Sequence, residues 1–247
     1  MLLAIDIGNT NVNIGVFKGR RLLRKYSLAT ASKTYFSSLK SITKGRPAFE
    51  AVICSVVPKA TQALKADLKR LGVRAYIIGK DFKVPVRNLY RRPAQVGQDR
   101  LVNSYAAIRL FGAPIIAIDF GTAITFDVIS KKEEYLGGMI LPGLGISLNA
   151  LARRTALLPE VKLRCPKEFI GTDTQNSILS GVIFGFAALT DEFARRLKQK
   201  FANNVKVIAT GGNAGFMAKY CCCFDKVDPD LTLKGLMLLE KKYKKNS

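Results

Sequence analysis

Short apolar runs separated by polar turns dominate the chain. Leu2–Ile7 is apolar at every position but Asp6, which predicts a buried strand. A tight Gly8-Asn9-Thr10 turn leads to a second strand over residues 12–17, and a third follows Lys18-Gly19 over 21–28. Residues 35–44 carry helical spacing. Residues 51–57 form a continuous apolar run closed by Pro58, a strand covered on both faces. Helical spacing returns over 59–71 and stops at Gly72, and 74–78 reads as another strand.

The second half repeats this order. Strands are predicted over 115–119, 124–129 and 134–141, then a long helix over Thr174–Phe201 with apolar positions at Ile178, Val182, Ala188 and Phe193. A strand over 205–209 ends in Thr210-Gly211-Gly212. A helical stretch over 214–220 and a strand through Cys221-Cys222-Cys223 complete it. Residues 142–171 are an insertion without a counterpart in the first half. Each half also opens on the same phrase, Ala4-Ile5-Asp6-Ile7-Gly8 and Ala117-Ile118-Asp119-Phe120-Gly121. The repetition predicts an α/β duplication, residues 1–111 and 112–247, with two mixed β-sheets flanked by helices. Ligands of such folds bind at strand ends, which places the expected active site in the crevice between the sheets.

Composition narrows the chemistry. The chain has 247 residues, 48% hydrophobic and 23% charged, ordinary values for a globular protein. Histidine is absent, which excludes Ser-His-Asp and Cys-His catalysis, histidine metal ligands and a histidine base. Five cysteines without Cys-x-x-Cys spacing argue against zinc and suit a reducing compartment. The N-terminus lacks the basic segment and cleavage site of a signal peptide, and no apolar run approaches membrane-spanning length, so a cytoplasmic protein without a membrane partner is expected.

Lys and Arg outnumber Asp and Glu by 40 to 18, a net charge of +22. The basic residues are scattered, as in Arg20-Arg21, Lys131-Lys132 and Arg195-Arg196, with no aromatic-interleaved stripe. That distribution fits a general lysine bias or attraction of small anions better than a nucleic-acid footprint.

Four sites carry candidate chemistry. Asp6-Ile7-Gly8-Asn9-Thr10 ends a buried strand in a carboxylate and a glycine turn, where backbone N–H groups can meet phosphate oxygens and Asp6 can hold Mg²⁺, directly or through water. Asp119-Phe120-Gly121-Thr122-Ala123 repeats the arrangement. Taken singly, each reads equally well as a hairpin turn. Thr210-Gly211-Gly212 marks a third strand end, where glycine lets a nucleotide lie against the backbone. Gly97-Gln98-Asp99-Arg100 opens a helical run over 101–110, with Asp99 in the first turn, where the helix dipole favours an acid. Asp99 there is either a capping acid beside a solvated Arg100 or a functional carboxylate.

These motifs occur in one order with Gly137-Gly138-x-Ile140-x-Pro142-Gly143, Gly171-Thr172-x-Thr174 and the closing segment 230–236. The ordered set resembles the type III pantothenate kinases, within the acetate and sugar kinase/Hsp70/actin superfamily, over nearly the whole chain. Gln98 and Phe120 stand where smaller residues are frequent in that family.

The resemblance implies a duplicated actin-like, ribonuclease H-like fold. It implies ATP-dependent phosphorylation of pantothenate to 4'-phosphopantothenate, the first step of coenzyme A biosynthesis, by carboxylate general-base catalysis. It places ATP on Asp6, Ile7, Gly8, Asn9, Thr10, Asn11, Val12, Asn13, Thr122, Gly211 and Gly212, and makes Asp99 the proton acceptor. It gives pantothenate contacts to Tyr90, Gly97, Gln98, Asp99, Arg100 and Thr174. Asp119 would ligate a monovalent cation, K⁺ or NH₄⁺, with Mg²⁺ accompanying ATP. A homodimer is implied, with part of the pantothenate pocket supplied by the partner subunit and the interface in the second half. Arg100 has two readings, binding the pantothenate carboxylate or steadying its loop. The alternatives are a nucleic-acid-associated regulatory protein of the same fold and a kinase for another small alcohol.

Overall fold

The computed structural model describes residues 1–44, 49–201 and 204–245. They form two compact units, Met1–Leu110 together with Asp230–Ser247, and Phe111–Pro229.

The first unit contains β1 (Leu2–Ile7), β2 (Asn11–Lys18), β3 (Arg21–Ala29), α1 (Phe36–Thr43), β4 (Glu50–Ser55), α2 (Pro58–Arg70), β5 (Arg74–Ile77), the short β6 (Arg87–Asn88) and α3 (Gln98–Phe111). The second contains β7 (Ile115–Phe120), β8 (Ala123–Ile129), β9 (Glu134–Pro142), α4 (Leu144–Arg154), α5 (Thr174–Phe201), β10 (Lys206–Thr210), α6 (Ala214–Met217) and β11 (Lys226–Val227). The last helix, α7 (Leu231–Lys245), belongs to the first unit.

In the first unit the strands lie in the order β3-β2-β1-β4-β5, and in the second β9-β8-β7-β10-β11. The senses also agree. β1 is antiparallel to β2 and parallel to β4, and β7 is antiparallel to β8 and parallel to β10. The duplication read from the repeated phrase is therefore a duplication of topology, strand for strand, and the fold is the mixed α/β one expected.

One face of the first sheet carries Leu3, Ile5, Ile14, Ala51 and Ile53 against Leu39 of α1 and Leu64 and Leu68 of α2. The opposite face carries Leu2, Ala4, Val52 and Cys54 against Val102 and Tyr105 of α3 and Leu233, Leu236 and Met237 of α7. Each such buried Leu or Met contributes about 1.5–3 kcal/mol. Helices α3 and α7 approach so closely that a Cβ on Gly235 would stand 2.7 Å from Val102 Cγ1. This packing places α7, Leu231–Lys245, in the first unit and not in the half, 112–247, to which its sequence position assigned it. The apolar face of α7 fits the exposed side of the first sheet, and chain order has no say in that.

Three further expectations change. Cys221–Cys223 form no strand; Asp191 instead accepts the N–H groups of Cys222 and Cys223 at 3.0 Å and holds the run as a loop before β11. On α5, Ala188 is exposed, and the buried stripe runs through Ile178, Leu179, Ile183, Ala187 and Ala194. Among the described residues α5 is also long and apolar enough, by length and composition, to cross a membrane. Here it is a core helix. Ala187 and Ala194 pack with the β7–β8–β10 core, Ile178, Leu179 and Ile183 pack with Leu148 of α4, and Phe126 meets Phe193 edge-on at 5.4 Å.

Candidate functional site

Asp6 is the penultimate residue of β1. Its register partners are Asn13 on antiparallel β2 and Cys54 on parallel β4. Directly paired residues project to one face, so Asn13, Asp6 and Cys54 form a row across three strands. This is the face that α3 covers. Asp99 lies three residues before the buried Val102, hence on the same side of α3 and one turn nearer its start. The two carboxylates meet at Cys54. The thiol is fully buried and is pushed well above the usual range, first by burial and then by the negative charges of Asp6 and Asp99. It is a neutral group between them.

The carboxyl of Asp99 is itself raised by burial, against the pull of the Arg100 N–H, which donates to Oδ1 at 2.9 Å, and of the Arg100 guanidinium. A desolvated carboxylate with a raised pKa is a stronger proton acceptor than one in water. Arg100 is 7% exposed and belongs to the buried side of α3. Arg100 is therefore not a solvated arginine, because the turn that half-buries Asp99 buries its neighbour fully. A Cβ on Gly97 would stand 2.3 Å from Asp99 Oδ1, and one on Gly79 would stand 2.9 Å from Gln98 Cδ. Both glycines are places where the first turn of α3 lies too close for a side chain.

The loop after Asp6 is held by its own backbone and by residues the sequence did not flag. Gly8 N–H donates to Asn11 O at 3.0 Å; Thr30 Oγ1 donates to Gly8 O at 2.7 Å and Thr30 N–H to Thr10 O at 3.0 Å. Tyr35 Oη in turn donates to Thr30 O at 2.8 Å. Asn9, Thr10 and Asn11 are exposed on this braced turn, while Ile7 and Val12 are buried in the core and have only backbone to offer a ligand. Thr30 has no periodic or motif signal in the sequence. Its role arises only because the end of β3 lies beside the β1–β2 turn.

The second unit builds its counterpart at Asp119. The partners are Thr125 on antiparallel β8 and Thr210 on parallel β10. Glycines crowd this end. Gly211 has φ +92°, and a Cβ there would stand 2.2 Å from Asp119 Oδ1 and 2.8 Å from the Phe120 backbone. A Cβ on Gly143 would stand 2.2 Å from Thr122 O, whose loop Gly143 N–H closes at 3.0 Å. Gly212 is exposed with open space around its Cα, and Thr122 is exposed. The hydroxyl of Thr210 is buried without a hydrogen-bond partner, a state that costs about 1–3 kcal/mol.

A carboxylate, hydroxyls and a glycine cradle make an all-oxygen site with room beside it, which suits a hard cation. Among the described residues no cluster of three or more His, Cys, Asp or Glu side chains could hold a metal. A single carboxylate at Asp6 is nevertheless the usual protein share of a Mg²⁺ site whose other ligands are phosphates and water.

Two further predicted contacts stand on a loop and at a helix start. Tyr90 sits in the loop between β6 and α3, where its N–H donates to Asn88 Oδ1 at 3.0 Å and Asn88 Nδ2 donates to Pro93 O at 3.3 Å. Thr174 is exposed at the start of α5. Asp173 caps that helix, accepting Asn176 N–H at 2.8 Å, and this backbone bond first, with the Asn176 side chain, holds its carboxyl below the usual range. Gly171 folds over the same turn, since a Cβ there would stand 2.2 Å from Ser177 N.

The family profile described as type III pantothenate kinase matches residues 2–196. A Moorella thermoacetica protein of that name is 38% identical over 257 residues, covering 100% of both chains. Among solved structures, a Baf family protein from Campylobacter jejuni aligns with a TM-score of 0.61 at 23% identity, covering 98% of this chain and 99% of that one. The activator of 2-hydroxyisocaproyl-CoA dehydratase from Clostridium difficile, solved with bound ADPNP, aligns with a TM-score of 0.55 at 11% identity, covering 99% and 96%. At these identities the two structures share the fold alone.

Proposed function

The chain belongs to the type III pantothenate kinase family, and on that premise we propose that Asp99 is the base for phosphoryl transfer from ATP to pantothenate. The product is 4'-phosphopantothenate, the first intermediate on the way to coenzyme A. The observation that carries the role of Asp99 is its burial on the face shared with Asp6, with its carboxyl raised and Arg100 beside it.

The primary hydroxyl of pantothenate attacks the terminal phosphorus of ATP. The bond from that phosphorus to the bridging oxygen breaks, ADP leaves, and the hydroxyl proton passes to the Asp99 carboxylate. In a chain without histidine a carboxylate is the natural acceptor, and such a base contributes about 10²–10⁴-fold. The rest of the work is positioning and neutralising charge.

The braced Asp6–Asn13 turn holds the ATP phosphates through exposed Asn9, Thr10 and Asn11 and its backbone N–H groups, and Thr122, Gly211 and Gly212 contact the nucleotide. Asp6 holds Mg²⁺, directly or through water, and Asp119 holds K⁺ or NH₄⁺; bound there, the cations offset phosphate charge. Gly97, Gln98, Arg100, Tyr90 and Thr174 contact pantothenate. Arg100, buried beside Asp99, either pairs with the pantothenate carboxylate or fixes the first turn of α3. We place the enzyme in the cytoplasm as a homodimer whose partner subunit completes the pantothenate pocket. Exposed Leu157 (92%), Phe169 (71%) and Ile170 (77%), all within the insertion, support an apolar contact surface on the second unit.

The test is ADP release by the purified protein with Mg²⁺, K⁺ and a panel of alcohols, with mass spectrometry of the product. Release that requires pantothenate and yields the phosphorylated acid is expected. Release with a different alcohol only, or tight salt-dependent nucleic-acid binding without kinase activity, overturns the reading.

A further inference from the structure

Thr210 ends β10 as the parallel register partner of Asp119. Its neighbours Val207 and Ala209 face the core, so by strand alternation Thr210 projects to the other face, where Asp119 and Thr125 also project. The residue is 1% exposed, and its Oγ1 is buried without a hydrogen bond. A threonine hydroxyl brings one donor and two acceptor lone pairs. A buried one left without a partner points to a group that the protein itself does not supply.

The surroundings narrow what that group is. An anion is disfavoured by the Asp119 carboxylate on the adjacent strand. An apolar ligand would leave the hydroxyl as unsatisfied as before. Gly211 follows Thr210 directly, and its missing Cβ lets Asp119 Oδ1 lie against the backbone beside Thr210, where a Cβ would stand 2.2 Å from it. Within this row the side-chain donors are oxygens, one carboxylate and two hydroxyls, the donor set of a hard cation.

We propose that Thr210 Oγ1 is a neutral oxygen ligand of the monovalent cation assigned above to Asp119; the inference rests on that assignment. It also accounts for a difference between the two units. The position equivalent to Thr210 in the first unit is Cys54, the parallel partner of Asp6. A buried, protonated thiol is a poor ligand for an alkali ion. Two strand ends of the same topology therefore differ at the flanking side chains, Asn13 against Thr125 and Cys54 against Thr210, and the second pair separates them in their capacity to hold K⁺.

The experiment is thermal unfolding of the intact protein as a function of KCl, with choline chloride keeping ionic strength constant, for wild type, Asp119→Asn, Thr210→Val and Thr210→Ser. Half-saturation for K⁺-dependent activation is measured alongside. Wild type is expected to be stabilised by K⁺ and Asp119→Asn not. Thr210→Val should need about tenfold more K⁺ for half its stabilisation, the loss of one modest ligand, and Thr210→Ser should stay near wild type. In choline alone Thr210→Val should melt no lower than wild type, because it removes an unsatisfied hydroxyl and keeps the shape. If wild type responds to K⁺ through Asp119 and Thr210→Val follows the same curve, the proposal is overturned and the Asp119 assignment stands. If wild type shows no response to K⁺ over choline, the assignment and the proposal fall together.

Discussion

Gly97 leaves no room for a side chain beside Asp99, since a Cβ at residue 97 would stand 2.3 Å from Asp99 Oδ1. The carboxylate also accepts the Arg100 N–H at 2.9 Å, so it has no slack on that side. Gly97→Ala must therefore push the carboxylate aside. Displacement of about an ångström at a reacting group costs on the order of 10²-fold in rate. Gly97→Ala is expected to lower kcat by about that factor while Tm changes little, as measured by coupled ADP release and thermal unfolding. Wild-type kcat in the folded variant would remove Asp99 from the reaction.

Asp99→Asn tests the base directly. It should lower kcat by about 10²–10⁴-fold and leave ATP binding, read by calorimetry, near wild type. The pH dependence follows from the raised carboxyl. Asp99 must be ionised to accept a proton, so the acidic limb of kcat/KM should lie above the ordinary carboxylate range. The folded protein holds that proton to higher pH than the unfolded chain does. Asp99 therefore subtracts stability as pH rises through the window from the unfolded to the folded pKa. Asp99→Asn should gain in Tm relative to wild type across that same window.

Gly211 and Gly212 are adjacent in the sequence and opposite in their demands. Gly211 has φ +92° and no space for a Cβ, with Asp119 Oδ1 at 2.2 Å, whereas Gly212 has open surroundings. A left-handed residue with a Cβ costs about 1–2 kcal/mol before any clash. Gly211→Ala is expected to lower Tm and impair turnover, and Gly212→Ala to keep the wild-type Tm. Melting curves of the two variants separate a glycine needed by the backbone from one needed, if at all, by the nucleotide.

Asp67 offers a pH test away from the site. Burial pushes its carboxyl up, but Tyr35 N–H at 2.8 Å, Thr34 Oγ1 at 2.9 Å and the Arg70 guanidinium outweigh burial, and the net shift is downward. A lowered carboxyl pKa contributes stability that is present above the unfolded value and is lost as pH falls through the folded one. Asp67→Asn should therefore melt below wild type at neutral pH, and the gap should close as both are acidified below about pH 4, the unfolded carboxylate range. A gap that persists unchanged at low pH would show that the charge of Asp67 has no part in it.

Much of this protein was decided by local pattern. The strands, the repeated Ala-Ile-Asp-x-Gly phrase and the glycine motifs follow from apolar runs and turn residues that act over a few positions. They were sufficient for the α/β duplication, for both strand-end aspartates and for Asp99 in the first turn of α3. The buried stripe on α5 passes through Ala187 and not Ala188, because apolar residues nearly encircle the helix and only the neighbours select a face.

Other features depend on what lies across the sheet. The row Asn13–Asp6–Cys54 and its counterpart Thr125–Asp119–Thr210 exist because β4 and β10 pair in parallel with strands more than forty residues earlier. The bracing of the Gly8–Asn11 turn by Thr30 and Tyr35, and the return of α7 to the first unit, have the same origin. The sequence by itself determined which elements form and which residues carry charge at their ends. Tertiary structure decided which side chains those charges meet, because burial and register are properties of pairs far apart in the chain.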